Sequence, residues 1–350
     1  METEISNKTR IVSFDVLRIV ASIMVVMLHV SASNWYSISP NRIEWVAMNF
    51  YDSMVRSAVP LFFMLSGVFI LNKTISIEDL FKKKIIPLAL IYIVWSFLYA
   101  IYKIYLNKIP VVGIIDIVNI TIDSHYHLWY IPTLMGIYIL QPILYSIVNY
   151  KKGIYVKYFL VLFFIFGIMR PTIFLFLKNK TMITLLEKVP IELMKYSGYV
   201  ILGYYLANIN EKKFKPVSMF SGFLFVVIIS TIICQIDALN KGKPAGILYG
   251  NFTISSFLEA FFLFNFFKEI KFTDSTMMRK ITYSISSLTL GVYLLHPFVI
   301  TQLKNKLYFD TLSYNTFISI PVNTIIIVSI CFLVTFIMVK IPFVKKFWKF

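Results

Sequence analysis

Apolar residues run through this chain in stretches of about twenty, the length needed to cross a bilayer's hydrocarbon core as a helix. Polar residues collect mostly between the stretches. The pattern predicts ten helical spans, over 11–33, 54–71, 85–106, 127–148, 154–177, 191–208, 217–236, 246–267, 281–303 and 319–341. The fold class expected is all-α, a polytopic membrane protein with about ten transmembrane helices. Residues 107–126 carry Asp116, Asp123 and His125 with apolar residues between them, and read as a short amphipathic or re-entrant helix rather than a further span. Residues 34–53 read as an outer loop whose Trp35, Tyr36 and Trp45 suit the membrane interface.

The first stretch breaks the rule that spans are purely apolar. Phe14–Ser33 reads FDVLRIVASIMVVMLHVSAS and carries Asp15, Arg18 and His29. At 100° per residue, Asp15, Arg18, Ser22, His29 and Ser33 fall within a sector of roughly 60°. Ionisable groups in a bilayer are costly and mark a functional path by default. Arg18 and His29 share this face about 16 Å apart along the axis, too far to touch through an unbroken helix. Lys8 and Arg10 before the apolar run, with Val30-Ser31-Ala32 after it, also imitate a cleaved signal peptide. An ordinary signal needs no polar stripe, so the segment is read as a retained span.

Composition supports the membrane reading. Of 350 residues, 58% are hydrophobic and only 15% charged, against about a quarter charged in soluble domains. A net charge of +17 would suggest nucleic acid in a soluble protein; here it fits basic cytoplasmic loops. With the N-terminus inside, inner segments and their flanks hold twenty Lys and Arg against twelve outside, with Arg18 and Arg170 within spans. Both termini are therefore expected in the cytoplasm. Cys234 and Cys331 fall inside spans and suggest neither a disulfide framework nor a metal cluster. The chain is expected to be one transmembrane domain over 1–350 with no appended soluble domain, no metal and no nucleic-acid partner.

Candidate chemistry is sparse. The four histidines, His29, His125, His127 and His296, all map to the outer half of the membrane in this topology. For His296 a helix-interface hydrogen bond is the more ordinary role, and for His125 and His127 an interfacial one. Zinc fits poorly: the i,i+2 spacing of 125–127 does not put both imidazoles on one helical face, and no HExxH or CxxC accompanies it. The remaining intramembrane charges are Arg56, Arg170 and Glu259. Arg170 and Arg56 can snorkel to headgroups, whereas Glu259 near mid-span needs a partner or a proton. A neutral imidazole is a natural general base for a hydroxyl, and an arginine can orient a phosphate or steady an oxyanion. No Gly-x-Ser-x-Gly elbow is present, so direct transfer from a bound donor fits better than a serine intermediate.

Four motifs, in order along nearly the whole chain, resemble the acyltransferase-3 family of integral membrane acyltransferases. They are Arg18-x10-His29 preceded by Phe14-Asp15-Val16-Leu17; Val59-Pro60-Leu61-Phe62-Phe63-Met64-Leu65-Ser66-Gly67; His127-Leu128-Trp129-Tyr130-Ile131; and Gly291-Val292-Tyr293-Leu294-Leu295-His296-Pro297. The resemblance implies ten core helices in a cell membrane. It also implies O-acyl transfer, usually of acetyl from cytoplasmic acetyl-CoA, to a hydroxyl of a cell-envelope or exported glycan. It makes His29 the essential catalytic residue and Arg18 its partner; helix spacing pairs Asp15 with Arg18 at i,i+3, and the topology sets Arg56 beside the mouth near His29. The inner cluster Lys82, Lys83 and Lys84 would meet the donor's phosphates. Many members carry arginines there, and lysines supply charge without a bidentate fork. His127, Trp129, His296 and Glu259 are expected on the substrate side. The competing expectation is a glycan or small-molecule exporter without chemistry, since a polar stripe also suits a permeation path.

Overall fold

The structure is a computed structural model describing residues 12–107, 109, 113–123, 125–150, 154–177, 194–209, 213–270, 272 and 275–342. Lys8, Arg10, Lys151, Lys152, Lys212 and the 345–350 segment, which carry part of the charge argument, lie outside the described residues. Among the described residues the regular elements are all helical. In chain order they are α1 (Val12–Ser31), α2 (Ile43–Met54), α3 (Ala58–Ile70), α4 (Ile86–Asn107), α5 (Ile114–Asp123), α6 (Tyr130–Asn149) and α7 (Ile154–Leu162). There follow α8 (Arg170–Phe176), α9 (Lys195–Tyr204), α10 (Pro216–Lys241), α11 (Ile254–Glu269), α12 (Thr276–Ser286), α13 (Thr289–Leu307) and α14 (Thr316–Met338).

Among the described residues seven helices or joined helices are long and apolar enough to cross a membrane, and an eighth forms if α12 and α13, bent by 42°, count as one span. The protein is a multi-pass membrane protein. The expected tenfold count is approximate because two predicted spans fall short of spanning length among the described residues: α9 with the π-helical turn Tyr205–Ile209 that continues it, and α11. Residues 246–253, placed in a span by hydropathy, are irregular chain that precedes the N-terminus of α11.

One expectation is corrected. Much of 34–53 is not loop: α2 occupies Ile43–Met54 and joins α3 across a short break at 55–57. Trp45 is fully buried and Trp35 nearly so, their rings 4.6 Å apart, while Tyr36 is exposed. The break has a local cause. Pro60 has no N–H to offer the carbonyl of Arg56 four residues earlier, so the helix is interrupted there. The next amide, that of Leu61, donates to the Ser57 carbonyl at 2.9 Å and closes the first turn of α3. Residues 55–57 thus become a corner, and Arg56 sits in it.

By internal contacts the chain forms two compact units. The larger, 1–69 with 150–335, holds α1 at its centre, packed by α2, α11, α12 and α13. Leu17, Ala21 and Val26 of α1 are fully buried there. Glycines allow the closest approaches: a Cβ on Gly67 of α3 would strike the Val200 backbone of α9, and one on Gly203 would strike that of Met64. Small residues at matched positions let two membrane helices meet backbone to backbone. The outward side of α10 is apolar and exposed, including Phe225, Ile228, Ile232 and Ile236, as lipid-facing surface should be.

The smaller unit, 70–149 with 336–350, is built from α4, α5 and α6. A π-helical turn over Phe81–Ile85 leads into α4. The short α5 lies against α4 and buries no residue fully, which agrees with the amphipathic helix expected between spans three and four.

Candidate active site

Continuous α-helix from Val12 to Ser31 holds the polar stripe, so Arg18 and His29 stand about 16 Å apart along one axis. Each end is met by a different part of the bent α12–α13 pair. Near the N-terminus of α1, Asp15 is almost fully buried and accepts a hydrogen bond from Ser286 Oγ at 2.9 Å, where α12 ends. Arg18 reaches the same hydroxyl with Nη1 at 3.5 Å, and its guanidinium lies 4.7 Å over the Phe69 ring. Ser286 therefore bridges the acid and the base.

Near the other end, the His29 and His296 rings stack with centroids 5.0 Å apart and 27° between their planes. His29 is half-buried and His296 fully buried. The His296 Nδ1 lies 3.1 Å from the Val292 carbonyl. A carbonyl oxygen only accepts, so Nδ1 carries the proton in that bond and Nε2 the lone pair. Pro297, next in α13, lacks the N–H that would close the helix onto Tyr293. The histidine pair thus sits where α13 is already loosened.

Arg56 is held firmly. It forms an ion pair with Asp52, one turn earlier and fully buried, and donates from Nη1 to the Tyr249 carbonyl at 3.1 Å. Its guanidinium also lies 4.4 Å over the Tyr249 ring. Asp52 accepts in turn from Ser31 Oγ at 3.4 Å, two residues beyond His29. A chain of polar contacts therefore runs from the end of α1 to Arg56. Breaking one partner of such a buried pair typically costs about 3–5 kcal/mol. Tyr249 OH bonds Asn49, and Ser53 Oγ bonds both Tyr249 OH, at 3.2 Å, and Ser230 Oγ, at 3.1 Å. Glu259 of α11 is wholly buried, and the Ser57 backbone and the charge of Arg56 act on its carboxyl group.

The other predicted site residues belong to the smaller unit. His127 is buried, with Nδ1 2.8 Å from the Nδ1 of His125. Tyr99 packs on both rings, at 4.3 Å from His125 and 5.0 Å from His127. The two histidines lie on an irregular turn, not a helix, and so the i,i+2 spacing does bring the imidazoles together. Burial, with Lys103 nearby, lowers the His125 imidazole to about 4. Trp129 is partly exposed at the start of α6, its ring 6.4 Å from Tyr130. Lys82 pairs with Glu78 at 2.6 Å and Lys83 with Asp79 at 3.0 Å, all well exposed, while Lys84 is half-buried. Exposed pairs of this kind are worth at most about 1 kcal/mol each, so an incoming anion can compete for both lysines.

Sequence reasoning missed Asp52, Ser286 and Ser31. Asp52 had a readable signal, an acid four residues before an arginine. Ser286 had none, since its partner Asp15 is 271 positions away.

A family model described as an acyltransferase domain matches residues 11–339. The chain belongs to the acyltransferase-3 family. The match takes in every site residue above, and the family assignment makes this acyltransferase-3 protein a membrane acyltransferase that moves non-aminoacyl groups, generally onto hydroxyls. No curated protein and no solved structure matches the chain.

Proposed function

We propose that this acyltransferase-3 protein is a cell-membrane O-acetyltransferase with both termini in the cytoplasm. It takes an acetyl group from cytoplasmic acetyl-CoA and places it on a hydroxyl of a cell-envelope or exported glycan. The observation that carries the reading is the stacked His29–His296 pair on the polar face of a helix whose other end holds Asp15, Arg18 and Ser286. In this reading Lys82–Lys84 meet the donor's phosphates and Arg18 steadies its thin arm. His29 takes the proton of the acceptor hydroxyl as that oxygen attacks the thioester carbonyl. The tetrahedral intermediate collapses, the carbon–sulfur bond breaks, and the leaving thiolate takes the proton from His29. General-base help of this kind is worth roughly a hundred- to ten-thousandfold. His296 holds the His29 ring by stacking. Arg56, fixed between Asp52 and Tyr249, supplies positive charge near the reaction centre for the developing oxyanion.

The test is covalent. Purified protein with isotope-labelled acetyl-CoA and envelope glycan should form a labelled ester. His29→Ala should lower that rate about a thousandfold while membrane insertion persists. Full activity in His29→Ala would overturn the mechanism.

A further inference from the structure

Beyond the histidine pair, α1 and α13 continue side by side and end in a polar cleft. An open pocket of about 530 Å³ is lined by Lys304, Tyr308, Asp310 and their neighbours where α13 gives way to loop. It shares Lys304 and Asp310 with a narrower void of about 20 Å³. Val30 and Ser33, just past His29, and Ile300, one turn past His296, also line that void. A space of this size holds about one water-sized sphere. It admits a hydroxyl but not a ring.

The cleft is built rather than incidental. Asn34, almost fully buried, donates from Nδ2 to Thr311 Oγ1 at 2.8 Å and to Asp310 Oδ2 at 3.2 Å, and accepts from Lys304 Nζ at 2.8 Å. Ser33 Oγ lies 3.4 Å from Thr311 Oγ1. Asp310 Oδ1 accepts from the Leu312 amide at 2.8 Å. Among the described residues Tyr308 is the one non-glycine with positive φ, 51°, and its ring is 86% exposed. A left-handed tyrosine is an uncommon, costly choice for a helix cap, where glycine is usual. Here it turns an aromatic ring outward at the rim of the cleft.

We infer that this cleft is the acceptor subsite, and that it takes a neutral saccharide whose ring rests against Tyr308 and whose hydroxyls bond Asp310 and Lys304, both held in place by Asn34. The inference rests on the acyl-transfer reading above. Three features favour this class. The Asp310 carboxylate and the Lys304 ammonium together offer acceptors and donors to a polyol. Lys304 and Asp310, 3.9 Å apart, offset one another's charge, which suits a neutral ligand better than a phosphate. An amphipathic aromatic ring at a wet rim presents an apolar face beside polar groups. The narrow void then points one hydroxyl toward His29.

The experiment measures saccharide binding by the full chain in detergent, using saturation-transfer NMR with maltotriose and chitotriose. At least one trisaccharide should bind, and Asp310→Asn and Asn305→Trp should each weaken binding at least tenfold. Asn305 lines the cleft and is exposed, so the tryptophan fills the cleft without disturbing packing and separates blockage from misfolding. Failure of both trisaccharides to bind, or binding kept in either variant, would overturn the inference. The labelled-ester assay reports separately on acyl transfer. Binding lost in both variants with no ester formed would leave a saccharide site standing and acyl transfer refuted. Ester formed by a protein that ignores both trisaccharides would do the reverse.

Discussion

The four histidines form two pairs that could hardly differ more. His29 and His296 come from helices 267 positions apart and meet face to face, with ring planes 27° apart. His125 and His127 come from one turn and meet edge to face, 75° apart, with their Nδ1 atoms in hydrogen-bond contact. In the second pair one Nδ1 must donate and the other accept, so each ring spends one nitrogen on the other. In the first, the His296 Nδ1 bonds its own helix, and stacking engages faces rather than nitrogens. In the mechanism proposed above, the first pair works on a third molecule and the second holds a turn together.

Substitutions can break this contrast or sharpen it, and His29→Ala, described above, is the largest. Next is Arg56→Lys. A lysine keeps the charge but cannot span Asp52 and the Tyr249 carbonyl with one planar group. Ester formation should fall roughly a hundredfold, in kcat more than in KM, consistent with lost transition-state stabilisation of about 2.7 kcal/mol. His296→Ala should lower kcat about tenfold, because His29 keeps its lone pair and loses the ring that holds it; His127→Ala should leave a smaller deficit in kcat. Should His127→Ala prove the more damaging in labelled-ester assays, the roles of the two pairs would be exchanged.

The turn-holding pair makes a prediction in pH rather than rate. His125 is neutral in the folded protein down to about 4, whereas its ordinary value is 6.5. The unfolded chain therefore binds the proton first as pH falls. Stability from this group is complete above about 6.5 and is lost progressively from there toward 4. Thermal melting in detergent at pH 7.5 and pH 5 should show the drop, and His125→Gln should flatten it. The smallest effect expected is from Ser286→Ala, which removes a donor from buried Asp15 at a cost of roughly 1–3 kcal/mol. Denaturation midpoints should register that loss.

The sequence was most informative where a single helix carried the argument. The α1 stripe was readable because helical periodicity puts Asp15, Arg18 and His29 on one face regardless of what surrounds them. Hydropathy located most spans but missed the helix Ile43–Met54 that precedes Pro60. It set 34–53 outside the membrane, because Asn41, Arg42, Glu44, Asn49 and Asp52 lower the average there. Asn49 and Asp52 are buried and bonded, so their polarity marks an internal network, not a loop. The partners that complete the site were illegible for another reason. Ser286 for Asp15, His296 for His29 and Tyr249 for Arg56 are each fixed by tertiary packing across nearly two hundred residues or more.

The bent α12–α13 pair has one consequence for how this site can be altered. α12 sets Ser286 against Asp15, and α13 sets His296 against His29, with only Ser287 and Leu288 between the two helices. The site is therefore phased like a vernier, two scales pinned at opposite ends. Adding one residue inside α13 before His296 would turn that imidazole by about 100° without moving Ser286, whereas an addition beyond His296 would spare both. Family members that differ in length should accordingly place their insertions outside 286–296 and leave the phase of this segment intact.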